Sequence, residues 1–438
     1  MLETVRNAFK LKEIRSRIIY TLLMLVVVRI GTQLPIPGVN GNYFSEWFSG
    51  NSGSAFGFFD AITGGSFEKM SVFALNITPY ITSSIIIQLL TIAIPKLEEL
   101  QKDGEEGRKK MTAITRYLTV ALALMESLAM AIGFGKSGLL LEYNALNIIT
   151  AVVTLTAGST VIMWIGERIT ENGVGNGISI VLTINIISRI PQDLTLLFEQ
   201  FVKGKEIAFQ VLNLAIIVAI IIAVTVLTVT LQGAERRIPV QYSRKVQGRK
   251  QIGGQSSYIP LKVNTAGVIP IIFAQSLFMF PLIIMQLLGK SGGNGIGGTI
   301  LKMLNQSNWC DFNEPIYSIG LIVYIVLVIA FAYFYTSITF NPLEIADNMK
   351  KQGGFIPGIR PGKPTSDYLT KILNYIIFIG AVGLVIVAVI PIFFEGAFNA
   401  SISFGGTSLI IIVGVIIETL KQIESRMLVR NYKGFLND

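Results

Sequence analysis

Along this chain the hydrophobic positions fall in long unbroken runs, without the two-residue alternation of a half-buried strand or the spaced stripe of a surface helix. A membrane-crossing helix needs about 20 mostly apolar residues, and ten such runs can be marked. Residues 71–94, 146–165, 207–231, 263–289, 316–340 and 372–394 carry no charge. Residues 18–34 hold one, Arg29, and residues 117–134 hold one, Glu126. Two runs are weaker: 178–198, broken by Arg189, Pro191 and Asp193, and 403–420, which contains Glu418. The pattern predicts an all-α polytopic membrane protein of ten transmembrane helices.

Five runs precede the short linker 201–206 and five follow it, so 1–200 and 207–438 read as two halves that enter the membrane from opposite sides, an inverted-topology repeat. Irregularities recur in register. The second run of each half is interrupted by proline, at Pro79 and Pro270, and the fifth opens on glycine and looks short, at Gly173-Val174-Gly175-Asn176-Gly177-Ile178 and Phe404-Gly405-Gly406-Thr407-Ser408. Broken or short spans at matching positions point to a pathway at the repeat interface, among spans two, five, seven and ten.

Composition agrees with the pattern: 51% of residues are hydrophobic and 14% charged, against roughly 25% charged in a soluble domain. The net charge of +9 has a positional meaning. Of 36 Lys and Arg residues, 27 fall at the N-terminal side of the predicted membrane and 6 on the opposite side, which predicts cytoplasmic termini. The first run follows a basic start but no small-residue cleavage site, so it reads as a retained span. Histidine is absent and Cys310 is the one cysteine, which excludes His/Cys metal clusters, a Ser/His/Asp triad and an internal disulfide. No cofactor is implied. Gly135-Lys136-Ser137 and Gly289-Lys290-Ser291 resemble fragments of a phosphate loop, but the leading glycine position holds Met130 and Ile284, so the chain carries no motor of its own.

Within the four pathway spans the central positions are aliphatic, and no ionisable residue is expected near their centres. Span two carries Asn76, Tyr80, Ser83, Ser84 and Gln88 at spacings that set them along one helical face. An aliphatic constriction excludes ions yet gives no chemical selectivity, which leaves a transporter and a wide gated channel both open. Two long loops on the basic side, 232–262 and 341–371, read as docking surfaces for an anionic partner. The first looks like a two-stranded projection. The second opens on Asn341-Pro342-Leu343-Glu344, a helix start, continues to about Lys351, and then presents Arg360 on a stiff turn.

These residues resemble, over nearly the whole length, the SecY family of protein-conducting channels. The resemblance is carried by Arg29-Ile30-Gly31 with Pro35-Ile36-Pro37-Gly38, Pro79-Tyr80-Ile81, Glu105-Glu106-Gly107-Arg108, Gly166-Glu167-Arg168-Ile169-Thr170 with Gly175-Asn176-Gly177-Ile178-Ser179, Gln247-Gly248-Arg249, Pro260-Leu261-Lys262-Val263-Asn264, Phe340-Asn341-Pro342, Ala346-Asp347-Asn348, Gly358-Ile359-Arg360-Pro361-Gly362 and Gly405-Gly406-Thr407-Ser408-Leu409. Each stretch is weak alone; their order and spacing are specific. The resemblance implies a clamshell of two five-helix halves with a lateral gate between spans two and seven. It implies a pore ring of Ile77, Ile81, Ile178, Leu182, Ile272 and Ile411, and a plug over 54–69 that includes Phe56, Phe58, Phe59, Ile62, Gly64 and Gly65. Asn76, Ile85, Gln88, Glu126, Asn264 and Gln275 match the gate. Arg236, Arg237, Arg244, Lys245, Arg249, Lys250, Lys350, Lys351 and Arg360 match the docking loops. The implied activity is passage of unfolded, signal-bearing polypeptide across the bacterial plasma membrane, with lateral release of apolar segments and no catalysis. The implied partners are the SecE and SecG subunits, the SecA motor, the ribosome, signal peptides, nascent chains and anionic lipids. The competing reading is an inverted-repeat secondary transporter, which should place a charge at the midplane of its pathway.

Overall fold

A computed structural model describes residues 6, 8–41, 43–46, 60, 62–135, 138–203, 207–242, 245–247, 250–252, 256–287, 296–310, 315–398 and 406–434. Thirteen helices are named in chain order: α1 (Lys12–Gly31), α2 (Thr78–Ala93), α3 (Pro95–Lys102), α4 (Gly104–Gly133), α5 (Ala145–Asn172), α6 (Gly177–Phe201), α7 (Ile207–Gly233), α8 (Ile269–Leu287), α9 (Ile296–Leu304), α10 (Ile319–Thr339), α11 (Pro342–Lys351), α12 (Lys363–Phe398) and α13 (Gly406–Gly434). Every one of the ten predicted runs contains a helix. Among the described residues, α4, α5, α6, α7, α12 and the stretch containing α10 are each long and apolar enough to cross a membrane; α2 and α3, bent by 109° at their junction, make a seventh when joined. Their outward faces remain apolar. Leu23 and Ile30 of α1, Val211 and Val226 of α7, and Ile322 and Val326 of α10 are exposed, as a lipid-facing surface requires.

The irregular spans differ from the sequence expectation in an informative way. Pro79 does not interrupt a helix that begins at residue 71; it sits in the first turn of α2, while Ser71 bridges to Pro35 and residues 72–77 run as turns ahead of it. Pro270 likewise stands in the first turn of α8. A first-turn proline gives up an N–H that has no intrahelical partner anyway, so both prolines start helices. The α2 helix is therefore only 16 residues long, about 24 Å at 1.5 Å per residue, and stops short of a full crossing. Span five is neither short nor broken. The α6 helix runs 25 residues through Pro191, and Arg189 lies near its middle. The α13 helix is 29 residues long and continues past Glu418 beyond the predicted run. The expectation of no ionisable residue near the centre of a pathway span fails for α6, because a run broken by charges and a proline gives no sign that the helix continues through them.

Two clusters form the body of the first half. Ile36, Phe44, Phe67, Leu75, Phe134 and Leu155 pack together in one, with Phe44 edge-on to Phe67 and Phe134 at 5.2 and 5.4 Å. The other is described with the site below. In the second half, Trp309 and Tyr324 are fully buried with Phe278 among α7, α8, α10 and α12. Trp309 also donates its indole N–H to the Met303 carbonyl at 2.6 Å.

The projection from loop 232–262 is larger than two strands. β1 (Glu235–Tyr242) pairs antiparallel with β4 (Ser256–Lys262), Ile238 opposite Ile259, and β2 (Lys245–Gln247) pairs with β3 (Lys250–Ile252) at the tip. On its other edge β1 pairs with β5 (Gly354–Phe355), which comes from loop 341–371. Both predicted docking loops thus form one unit, over a core of Ile238, Val240, Leu261, Met349, Ile356 and Leu369.

Candidate functional site

The aliphatic positions on α2 and α6 are aimed by their first turns. Asn176 caps α6, its side-chain oxygen accepting from the N–H groups of Ile178 and Ser179 at 3.1 and 3.4 Å, and Thr170 Oγ1 accepts from Gly177 N–H at 2.9 Å. A side chain at 177 has no room: its Cβ would lie 2.0 Å from the Gly166 carbonyl oxygen. The Gly166…Gly175-Asn176-Gly177 pattern thus brings α5 and α6 into backbone contact and fixes Ile178 at the start of α6. Ile77 immediately precedes α2 and Ile81 is in its first turn.

Four of the six predicted ring residues meet in one cluster. Ile77 and Leu182 are buried, Ile81 and Ile178 half-buried, and all pack with Val28, Phe73, Ile162 and Val181. Ile411 joins α6 farther along, packing on Ile186 with Ile412 and Val268. Ile272 is half-buried in the first turn of α8, outside both clusters.

The segment expected to fill the plug position meets this cluster. Phe56, Phe58 and Phe59 lie outside the described residues, but Ile62 is buried against Ile77 and Leu182. Residues 62–71 turn tightly at Gly64 and Gly65, with φ of +67° and +79°; only glycine takes this conformation readily. Gly64 also sits so close to α6 that a Cβ would be 2.8 Å from the Asn185 carbonyl oxygen.

Asn76 is a correction to the predicted helical face of span two. It precedes α2, is fully buried at φ +49°, and donates its amide to the Thr63 carbonyl at 3.2 Å; its own carbonyl accepts from Ser159 at 2.9 Å. It ties the 62–71 turn to α5. Ser83 points into the half as well, 2.6 Å from Thr119 Oγ1 on α4. Of that polar face, Ser84 stays half-buried and Gln88 exposed, so the row does not hold as one surface. The other gate candidates are spread: Ile85 and Glu126 are half-buried, while Asn264 and Gln275 are buried, with Asn264 Nδ2 and Gln275 Oε1 lacking a hydrogen-bond partner among the described residues.

Charge reasoning missed the α6 stripe. Asn185, Arg189 and Asp193, four residues apart, line one buried face. Arg189 is ion-paired with Asp60 and lies 3.6 Å from both Glu68 and Asp193. Arg29 of α1 donates to the Gly64 carbonyl at 3.4 Å. A midplane charge would favour a transporter, but this arginine is enclosed by carboxylates and is not presented to a solute. The four-residue spacing was the available signal; reading Arg189 and Asp193 as breaks hid it.

On the projection, Arg236, Arg237, Lys350, Lys351 and Arg360 are exposed. Arg237 stacks 4.8 Å over the Tyr258 ring and pairs with Glu235 at 2.8 Å. That hydrogen bond raises its already high pKa, so it stays charged. Arg244 and Arg249 lie outside the described residues. Lys245 and Lys250 are placed only as the ends of the tip hairpin.

Comparison with known proteins agrees with this geometry. The SecY family model matches residues 71–420. The chain is 41% identical to the protein translocase subunit SecY of Halalkalibacterium halodurans, with both chains fully covered. Among solved structures, it matches one of a SecY protein whose plug domain is described as stabilising the closed translocation channel, at a TM-score of 0.63 and 19% identity over 94% of this chain and 92% of that one. It also matches Sec61 in the canine ribosome-channel complex of the endoplasmic reticulum, at 0.60 and 18% over the same shares. With a family match over most of its length and full-length relatives of this similarity, the chain belongs to the SecY family of protein translocase subunits, multi-pass membrane channels that conduct protein and are not enzymes.

Proposed function

We propose that polypeptide passes between the two halves, 1–200 and 207–438, hinged at 201–206, through a ring of Ile77, Ile81, Ile178, Leu182, Ile272 and Ile411. Residues 54–69 act as the plug. The supporting observation is the single apolar cluster in which Ile62 meets four of those ring positions. Aliphatic side chains close on one another without water, so the empty ring resists ions, yet they yield to a chain of any sequence. A signal peptide or apolar nascent segment parts spans two and seven beside Asn76, Ile85, Gln88, Glu126, Asn264 and Gln275. Segments of about 20 apolar residues then leave sideways because lipid is the better solvent for them.

Work comes from outside the chain. The exposed basic residues of the joined loops suit phosphate and carboxylate groups, and a structural relative is ribosome-bound. The ribosome and the SecA motor are therefore assigned to Arg236, Arg237, Arg244, Lys245, Arg249, Lys250, Lys350, Lys351 and Arg360. SecE and SecG complete the channel in a bacterial plasma membrane, with both termini cytoplasmic and anionic lipids against the basic face. Reconstitution with SecE, SecG and SecA tests the reading: a signal-bearing precursor should become protease-protected in vesicles upon ATP addition. Protection that persists without this chain would refute it.

A further inference from the structure

We infer that Arg189 is a positioning residue that latches the plug to α6, and that Asp193 is the partner it falls back on when the plug leaves. The inference rests on residues 54–69 being the plug. Arg189, Asp60 and Asp193 are 8%, 0% and 3% exposed, so this is a buried charge cluster. Among the described residues three carboxylates surround the guanidinium, and two of them, Asp60 and Glu68, belong to the turn that carries Gly64 and Gly65. The two are also bound to each other, since Asp60 Oδ1 accepts the Glu68 backbone N–H at 2.8 Å. They therefore move as one piece. Arg29, 3.4 Å from the Gly64 carbonyl, holds the apex of the same turn from α1.

An arginine stranded in a low-dielectric interior is costly, and a like-charged crowd of carboxylates is costly too. The cluster divides these costs between two states. With the plug seated, three acids share one arginine and repel one another, so each is held only partly. When the plug withdraws, Asp60 and Glu68 go with it toward water, and Asp193, one turn along the same helix, keeps Arg189 neutralised. Asp60 thus favours the closed state and Asp193 the open one. A cluster that merely stabilised the fold would respond in the same direction to loss of either acid.

The test uses the full channel reconstituted with its partner subunits, reading resting ion conductance in planar bilayers and the yield of a precursor with a defective signal relative to an intact one. Asp60→Asn should raise both readings, by about tenfold for a loss near 1.4 kcal/mol. Asp193→Asn should lower the defective-signal ratio below that of the unaltered channel. Arg189→Lys, which keeps the charge, should stay closer to the unaltered channel than Arg189→Gln. If Asp60→Asn and Asp193→Asn shift the ratio in the same direction, or neither shifts it, the latch is refuted. Deleting residues 62–69 separates the two ideas. An unchanged conductance on deletion overturns the plug reading and the latch with it, whereas a leaky deletion beside silent point variants overturns the latch alone.

Discussion

Residues fix this molecule chiefly where backbone meets backbone. Gly158 of α5 faces the turn before α2, and a Cβ there would lie 2.0 Å from the Val72 carbonyl oxygen. Gly158→Val should therefore force α5 from the 71–77 segment and cost about 1–3 kcal/mol, as overpacking does, seen as a lower melting temperature of the detergent-solubilised protein. Cys310 offers a second check. Burial pushes its thiol pKa up, so less thiolate is present at neutral pH than for an exposed cysteine. Maleimide labelling of the folded protein at pH 7 should be slower than that of the unfolded chain and should accelerate as pH rises. Sequence made the lone cysteine and the glycine-rich stretches visible. It could not say which glycines touch another backbone, because that depends on the partner element.

Helices and strands carry the next layer. The first-turn prolines of α2 and α8 and the Asn176 cap of α6 set where the aliphatic positions begin, so the proposed ring depends on local signals. Ile81→Asn should place a polar group among Ile77, Ile178 and Leu182. Its expected effect is a measurable ion leak and a weaker demand for a strong signal; unchanged leak and unchanged stringency would remove Ile81 from the ring. The reach of α6 is the opposite case. Arg189, Pro191 and Asp193 each weaken a hydropathy run, but a helix tolerates them when the charges find partners on another segment, here Asp60 and Glu68. The β1–β5 pairing was likewise invisible, because two residues of strand in a distant loop leave no periodicity. Gly354 lies under Tyr242, with 2.9 Å left for a Cβ. Gly354→Val should free β5 and speed protease cleavage within 352–362 while leaving the helices intact, as followed by fragment size on gels.

For the whole molecule, both loops form one basic unit, so docking should be a joint property. Arg360→Glu should impair motor-driven or ribosome-coupled export several-fold, the scale of a lost charged contact of about 1–3 kcal/mol. Membrane insertion of the channel itself should be unaffected, and normal export in that variant would take Arg360 off the docking surface.

By itself the sequence determined the class, the number and place of the apolar runs, the concentration of basic residues in alternate loops and the aliphatic character of the proposed pathway. Each of these follows from a stretch of residues meeting solvent or lipid one at a time, a cost that is local and additive. Only the tertiary structure decided that Asn76 and Ser83 face inward, that α6 continues past its charges, that two loops share a sheet and that Arg189 gathers three carboxylates. Those are agreements between residues far apart in the chain, where the energy belongs to the pair and neither partner announces it alone.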